Sequence, residues 1–157
     1  MRKFKDRIVA FLVILSLIGI DQITKILATD LLKPVEEIPI IGELLVFRYC
    51  VNTGAAFSMF QNNKFLLIGL TSILLIGGLV LIFGGFIKKK VPLYAVSVVL
   101  AGGIGNLIDR ILLGYVTDFI YIKVIDFAIF NFADMCVTIG GVFLVVYLIF
   151  FDKESKA

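Results

Sequence analysis

VPLYAVSVVLAGGIGNLIDRI, residues 91–111, is apolar for most of its length and then turns abruptly polar. A helix rises about 1.5 Å per residue and the hydrocarbon core of a bilayer is about 30 Å thick, so a run of this length reads as a membrane span. Its last turns carry Asn106, Asp109 and Arg110 at i, i+3 and i+4, a spacing that lets Asn106 reach both neighbours. Gly102 and Gly103, one turn below, allow a second helix to approach closely.

Three further runs of the same kind lie on either side: 8–28, 65–87 and 135–151. The last is the shortest, and it crosses if its aromatic ends and Asp134 lie at the interfaces. Basic residues set the expected orientation. Arg2, Lys3, Lys5 and Arg7 precede the first span, Lys88, Lys89 and Lys90 separate the second from the third, and Lys153 and Lys156 follow the fourth. The positive-inside rule then puts both termini and the triple-lysine turn in the cytoplasm, and the segments 29–64 and 112–134 outside.

With that orientation, the costly groups share one level. Asp21 lies roughly 21 Å up the first helix from Arg7, Asn106 roughly 24 Å up the third from Lys90, and Asp134 roughly 28 Å above Lys153. Asp118 and Asn131 fall in the outer connection between the last two spans, and Asn52 in the connection after the first. Ionisable groups near membrane depth are expensive and mark functional sites by default. Their common depth predicts one polar site at the outer surface. Asp21 and Lys25, at i, i+4 in the favoured acid-first order, read as a structural tie beside it. Asp134, Thr138 and Gly141 share one face of the fourth helix.

The outer segments have strand character. Residues 38–51 (IPIIGELLVFRYCV) are rich in β-branched and aromatic residues around Gly42-Glu43, which predicts a strand pair. Residues 116–122 (VTDFIYI) predict another strand, with Asp118, Ile120 and Ile122 on one face and Thr117, Phe119 and Tyr121 on the other. The expected fold is an α-helical membrane protein of four transmembrane helices with a small extracytoplasmic β-rich cradle at the outer membrane surface. The 157 residues, 61% hydrophobic with mean hydropathy +1.09, leave room for a single polytopic domain over 1–157. The net charge of +3 is explained by anchoring at the inner face and requires no nucleic-acid partner. The first span could be mistaken for a secretory signal peptide, but no small-x-small cleavage site precedes Asp21 and three spans follow, so an uncleaved signal anchor is the expectation. Cys50 and Cys136 both fall on the outer side and read as unpaired packing residues rather than a disulfide.

The chain contains no histidine. That removes zinc proteases of the HExxH type, Ser-His dyads and triads, and Cys-His pairs together, and with no cysteine cluster there is no metal site to expect. Carboxylates remain. Two aspartates close together at a partly dehydrated interface do not both ionise easily, so one serves as general base on a water while the other, protonated, serves as general acid. Asp118, on a strand, and Asp134, at a helix N-terminus, suit these roles, and the chemistry needs no cofactor. An aspartate at Asp134's position is also an ordinary helix cap. Asn52, Asn106 and Asn131 either bond a substrate's main chain or tie loops to helices. Arg110 either orients substrate or neutralises Asp109, and a partner across the site suits it better than its own helical neighbour. Gly54 reads as a turn residue with backbone freedom. A small transporter or channel is the alternative, yet it needs charges along a path through the bilayer, and the second span and the inner halves of the others have none. A Ser-Lys protease could draw only on Ser58 and Lys64, whose spacing in a loop has no positional logic.

DQITK (21–25), VNTGAAFS (51–58), GGIGNLIDR (102–110), VTDF (116–119) and FNFAD (130–134) resemble, in order and spacing, the motifs of lipoprotein signal peptidases, also called signal peptidase II. The resemblance covers nearly the whole chain. It implies an aspartic endopeptidase of the bacterial cytoplasmic membrane, with Asp118 and Asp134 catalytic. It implies removal of the signal peptide from a prolipoprotein whose cysteine already carries a diacylglyceryl group, with membrane lipid as the other partner and the enzyme expected as a monomer. It also implies a β-cradle near 38–51 and a short helix in the AAFSMFQ stretch (55–61).

Overall fold

The computed structural model describes residues 2–54 and 63–151, so the AAFSMFQ stretch and Ser58 lie outside the described residues. In chain order the elements are α1 (Arg2–Leu32), β1 (Glu37–Ile41), β2 (Leu45–Asn52), α2 (Lys64–Phe83), α3 (Lys90–Leu112), β3 (Val116–Ile122), a single 3₁₀ turn (Lys123–Ile125) and α4 (Phe132–Phe150). All four helices are long and apolar enough to cross a membrane.

Helix ends depart from the apolar runs where local chemistry intervenes. The second run continues to Ile87, but α2 stops at Phe83 because Gly84-Gly85 closes it. Gly85 takes φ +80, its N–H reaches the Ile82 carbonyl at 3.2 Å, and the Phe86 N–H reaches Leu81 at 3.1 Å. This double closure satisfies carbonyls that the helix end would otherwise orphan, and the left-handed residue in it favours glycine. Conversely α4 begins three residues before the expected 135. Asn131 accepts from the Asp134 N–H, and the Asp134 carboxylate accepts from the Asn131 N–H, a reciprocal cap that starts the helix at Phe132.

α3 is the central helix and packs against α1, α2 and α4. Within a bilayer there is little hydrophobic drive between helices, so close approach through small residues matters most. A Cβ on Gly102 would lie 2.3 Å from the Ala133 carbonyl oxygen, and one on Gly103 would lie 2.7 Å from Leu75, so the adjacent glycines admit α4 and α2 respectively. The packed face of α4 is Ala133, Cys136 and Gly140. Of the face that Asp134, Thr138 and Gly141 share, Thr138 is exposed and Gly141 has open space beside it, and only Asp134 bonds the groups of the site. The apolar core joins Ala10 and Ile14 of α1, Leu75 and Ile82 of α2, and Leu93, Leu100 and Ala101 of α3. Phe65, Ile73 and Leu74 on α2 and Ile139 and Phe151 at α4 are exposed, as lipid-facing residues would be.

The three strands form one antiparallel sheet in the order β1-β2-β3. Gly42, at φ +48, makes the turn of the first hairpin, and Glu37 pairs with Arg48 across it. β2 pairs with β3 so that Cys50 stands opposite Asp118 and Asn52 opposite Val116. Val116 to Phe119 are buried on both faces. Phe119 packs on Ala28 and Leu32 of α1, and edge-on against Phe47, while Asp118 points the other way. The C-terminal end of α1 therefore supports the sheet that carries one of the candidate aspartates. Cys50 and Cys136 are free thiols.

Candidate active site

Asp118 comes from the middle of β3 and Asp134 from the first turn of α4, and Asn131 joins them. The Asn131 amide Nδ2 donates to Asp118 Oδ1 at 2.6 Å, while its backbone N–H donates to Asp134 Oδ2 at 3.1 Å. Each carboxylate has a second amide donor: Asn52 Nδ2 to Asp118 Oδ2 at 2.9 Å, and Asn106 Nδ2 to Asp134 Oδ1 at 2.8 Å. Thus Asp134 is a cap and a site carboxylate at once. The three asparagines that the sequence reading left between two roles all touch the aspartate pair.

Burial pushes the Asp118 carboxyl up to about 7, and the negative charge of Asp134 adds to the rise. The amides of Asn52 and Asn131 and the more distant charge of Lys25 oppose it. Burial dominates because a carboxylate loses its hydration among apolar atoms, and amide donors return only part of it. At neutral pH, then, Asp118 retains a proton in a substantial fraction of molecules.

Behind the pair lies a buried ionic cluster. Lys25, 4% exposed, places its ammonium 2.9 Å from Asp21 and 3.2 Å from Asp109. Its third contact, at 2.9 Å, is Asn106 Oδ1. Asp21 also accepts from the Ala133 N–H at 3.0 Å, fastening α1 to the first turn of α4, and a Cβ on Gly105 would meet its carboxylate at 2.4 Å. Asp109 accepts from the Thr117 N–H, tying α3 to β3. Breaking one partner of such a buried cluster typically costs about 3–5 kcal/mol, because the remaining charges lose their compensation. Gln22, not singled out from sequence, donates to both Asp21 and Asp109 at 3.1 Å. Its signal was its place inside DQITK, one residue from Asp21, where it passed for an ordinary polar neighbour.

The helical spacing of Asn106 misled in one respect. Its side chain turns to Lys25, Asn131 and Asp134, and not to Asp109 or Arg110, because partners on other elements outcompete those one turn away. Arg110 crosses the site instead: its Nη2 donates to the Gly54 carbonyl at 2.8 Å. Gly54 in turn donates its N–H to Asn52 Oδ1 at 2.9 Å, so its contribution is a pair of backbone hydrogen bonds. These contacts hold the end of β2 over the last turn of α3.

Two cavities flank this centre. One, about 480 Å³, has Asp134 and Thr138 on its wall and is otherwise lined by apolar side chains such as Phe127, Phe130, Met135 and Ile139. The other, about 360 Å³, lies on the Lys25 and Asp109 side, where Thr29 and Tyr115 also line it. An ionisable pair thus stands between a polar network and an apolar groove. That arrangement suits acid–base chemistry on a substrate with an apolar part.

The sequence profile of the family described as signal peptidase II matches residues 13–150. A lipoprotein signal peptidase of Clostridioides difficile (strain 630) is 37% identical over 150 residues, covering 92% of this chain and 97% of the relative. One from Dehalococcoides mccartyi is 42% identical over 137 residues, covering 82% of each. Among solved structures, a bacterial membrane enzyme determined by the in meso method at 2.3 Å resolution superposes with a TM-score of 0.83 at 30% identity, covering 95% of this chain and 92% of that one. Because the match runs through all four apolar helices and both aspartate-bearing segments, the chain belongs to the signal peptidase II family of bacterial membrane peptidases.

Proposed function

We propose that this protein is an aspartic endopeptidase that removes the signal peptide from diacylglyceryl-modified prolipoproteins, cutting before the lipidated cysteine. The observation that carries the reading is the pairing of Asp118 and Asp134 through Asn131, with burial holding a proton on Asp118 near neutral pH. In the proposed reaction the Asp134 carboxylate takes a proton from a water as its oxygen attacks the scissile carbonyl, and Asp118 gives its proton to the carbonyl oxygen. A gem-diol forms. Its collapse returns a proton to Asp118, breaks the C–N bond, and passes the proton held by Asp134 to the leaving amine. Asn52 and Asn131 align the Asp118 carboxyl, and Asn106 aligns that of Asp134. Arg110 and Gly54 shape the edge over which an extended substrate main chain would lie. Asp21, Lys25 and Asp109 support the site from behind.

In the same reading the chain forms one polytopic unit, a monomer in membrane lipid, with both termini cytoplasmic and the aspartates at the outer face. The ion pair of Lys90 with Asp6, and the donation from Arg7 to the Phe83 carbonyl, knit together the ends of α1, α2 and α3 that would lie inside. A reporter fused at either terminus should register cytoplasmic, and a thiol label at Lys123→Cys should be reached from outside. The opposite pattern would place the aspartates away from any exported substrate. A transporter reading has no support: α2 carries no charge after Lys64, and the buried carboxylates gather at one end of the helices.

The direct test is purified protein in lipid with a diacylated peptide bearing the lipobox, with products identified by mass. Cleavage immediately before the cysteine is expected, and cleavage elsewhere or none would reject the reading. The pH dependence follows from Asp118. Its raised pKa means the proton is present below about 7 and lost above it, so kcat should fall about tenfold per pH unit on the alkaline side. A rate that is flat from neutrality to well into the alkaline range would remove the protonated Asp118 from the mechanism.

A further inference from the structure

Amide side chains present an oxygen on one side and an NH₂ on the other, and a half-turn exchanges them. Both carboxylates of the pair are met by amide NH₂ groups, so the orientation of three asparagines decides whether the site offers donors or acceptors. For two of them a backbone N–H settles the matter. Asn52 must turn its oxygen to the Gly54 N–H, and Asn131 must turn its oxygen to the Asp134 N–H at 2.9 Å, which leaves NH₂ facing Asp118 in both cases. Asn106 accepts from no backbone N–H in this way. Its oxygen faces the Lys25 ammonium at 2.9 Å, and the Asn131 amide at 3.1 Å.

We infer that Lys25 is a positioning residue: its ammonium, 81 residues away in sequence, locks the polarity of the Asn106 amide and so aims the Asn106 N–H donor at Asp134. An ammonium has three donors and no acceptor, so only the oxygen of Asn106 fits against it. With that oxygen held, the NH₂ has Asp134 Oδ1 as its partner at 2.8 Å. Asp21 and Asp109 take the other two N–H bonds of Lys25, which keeps the buried ammonium pointed at Asn106. The oxygen so held also receives the Asn131 amide, whose other contact is Asp118. One buried cation therefore sets the donor pattern on the base directly and steadies it on the acid. Without it, the Asn106 oxygen keeps only the Asn131 amide at 3.1 Å as a donor, and a rotated Asn106 would present that oxygen to the Asp134 carboxylate, two acceptors facing each other.

This inference rests on the proposed peptidase activity, and its test separates the two. Cleavage of the diacylated lipobox peptide by the unaltered protein, with no cleavage by Asp118→Asn, establishes the activity independently of Lys25. Against that baseline Lys25→Met, inserted and folded, should lower kcat about 10²-fold, the usual loss when one preorganised donor is misdirected, with KM within about twofold. Its alkaline limb should move to higher pH, because the Lys25 charge is one of the influences that lower Asp118, alongside the amides of Asn52 and Asn131 and against the charge of Asp134. A purely structural tie would lower the unfolding temperature and leave kcat and KM in place. Should Lys25→Met fail to fold, the charge-balanced pair Lys25→Met with Asp109→Asn leaves one buried carboxylate uncompensated, as in the parent, and carries the same expectation. In whichever variant folds, a kcat within about threefold of the parent overturns the inference.

Discussion

Asp118→Asn and Asp134→Asn should each lower turnover of a diacylated prolipoprotein peptide by at least about 10³-fold, because each deletes one of two roles that no other side chain at the site can take over. The nearest groups to Asp118 are the amides of Asn52 and Asn131, and those of Asp134 are Asn106 and the Asn131 backbone, none of which titrates near neutrality. The structural cost of the two changes differs from the catalytic one. Asp118 accepts an amide N–H at each oxygen, so an asparagine there sets its NH₂ against another NH₂ and loses about 1–3 kcal/mol of stability. Asp134→Asn keeps an oxygen for the Asn131 N–H and so retains the helix cap, at the expense of the Asn106 contact. Single-turnover cleavage with a parallel unfolding curve reads both effects. Turnover near that of the parent in either folded variant would take that aspartate out of the chemistry.

Removing the acyl chains from the substrate should lower kcat/KM in vesicles by at least about 10²-fold. Each methylene kept out of water contributes about 0.8 kcal/mol, so even a few buried carbons per chain exceed that ratio. The groove of about 480 Å³ beside Asp134 is walled by Phe127, Phe130, Met135 and Ile139, and much of the surface of α4 is apolar and exposed. A substrate whose chains remain in lipid is thereby held with its scissile bond at the level of the two carboxylates. A non-acylated peptide must find that level without an anchor. Comparing the two peptides in vesicles, with detergent as a second condition in which depth has no meaning, isolates the effect. Equal rates in vesicles would sink the depth argument while leaving the aspartate chemistry standing.

The four apolar runs, the strand character of 38–51 and 116–122, and the family motifs are all legible residue by residue, because hydropathy, strand preference and motif spacing add up along the chain without reference to distant residues. For the same reason the heights of Asp21, Asn106 and Asp134 along their helices could be counted from flanking cations at a fixed rise per residue. Helix ends were less accessible: α2 stops at Gly84-Gly85 inside an apolar run, and α4 starts early on the Asn131 and Asp134 cap. Hydropathy is blind to both, since each end is decided by a few backbone hydrogen bonds.

What only the tertiary structure decided is which polar group faces which. Asn106 sits one turn from Asp109 and Arg110, yet it bonds Lys25 from α1 and Asp134 from α4, and Arg110 reaches past its own helix to Gly54. Gln22 joins two carboxylates that are far apart in sequence from each other. A hydrogen bond forms or fails within a few tenths of an ångström and depends on direction, so it follows from how helices are rotated and how closely glycines let them pack. The chain alone determined that a cluster of polar side chains must assemble at one end of four helices, because a bilayer leaves them nowhere else to go. The packing of α1, α3 and α4 around β3 decided that two of the aspartates face each other across Asn131 while the other two are spent on Lys25.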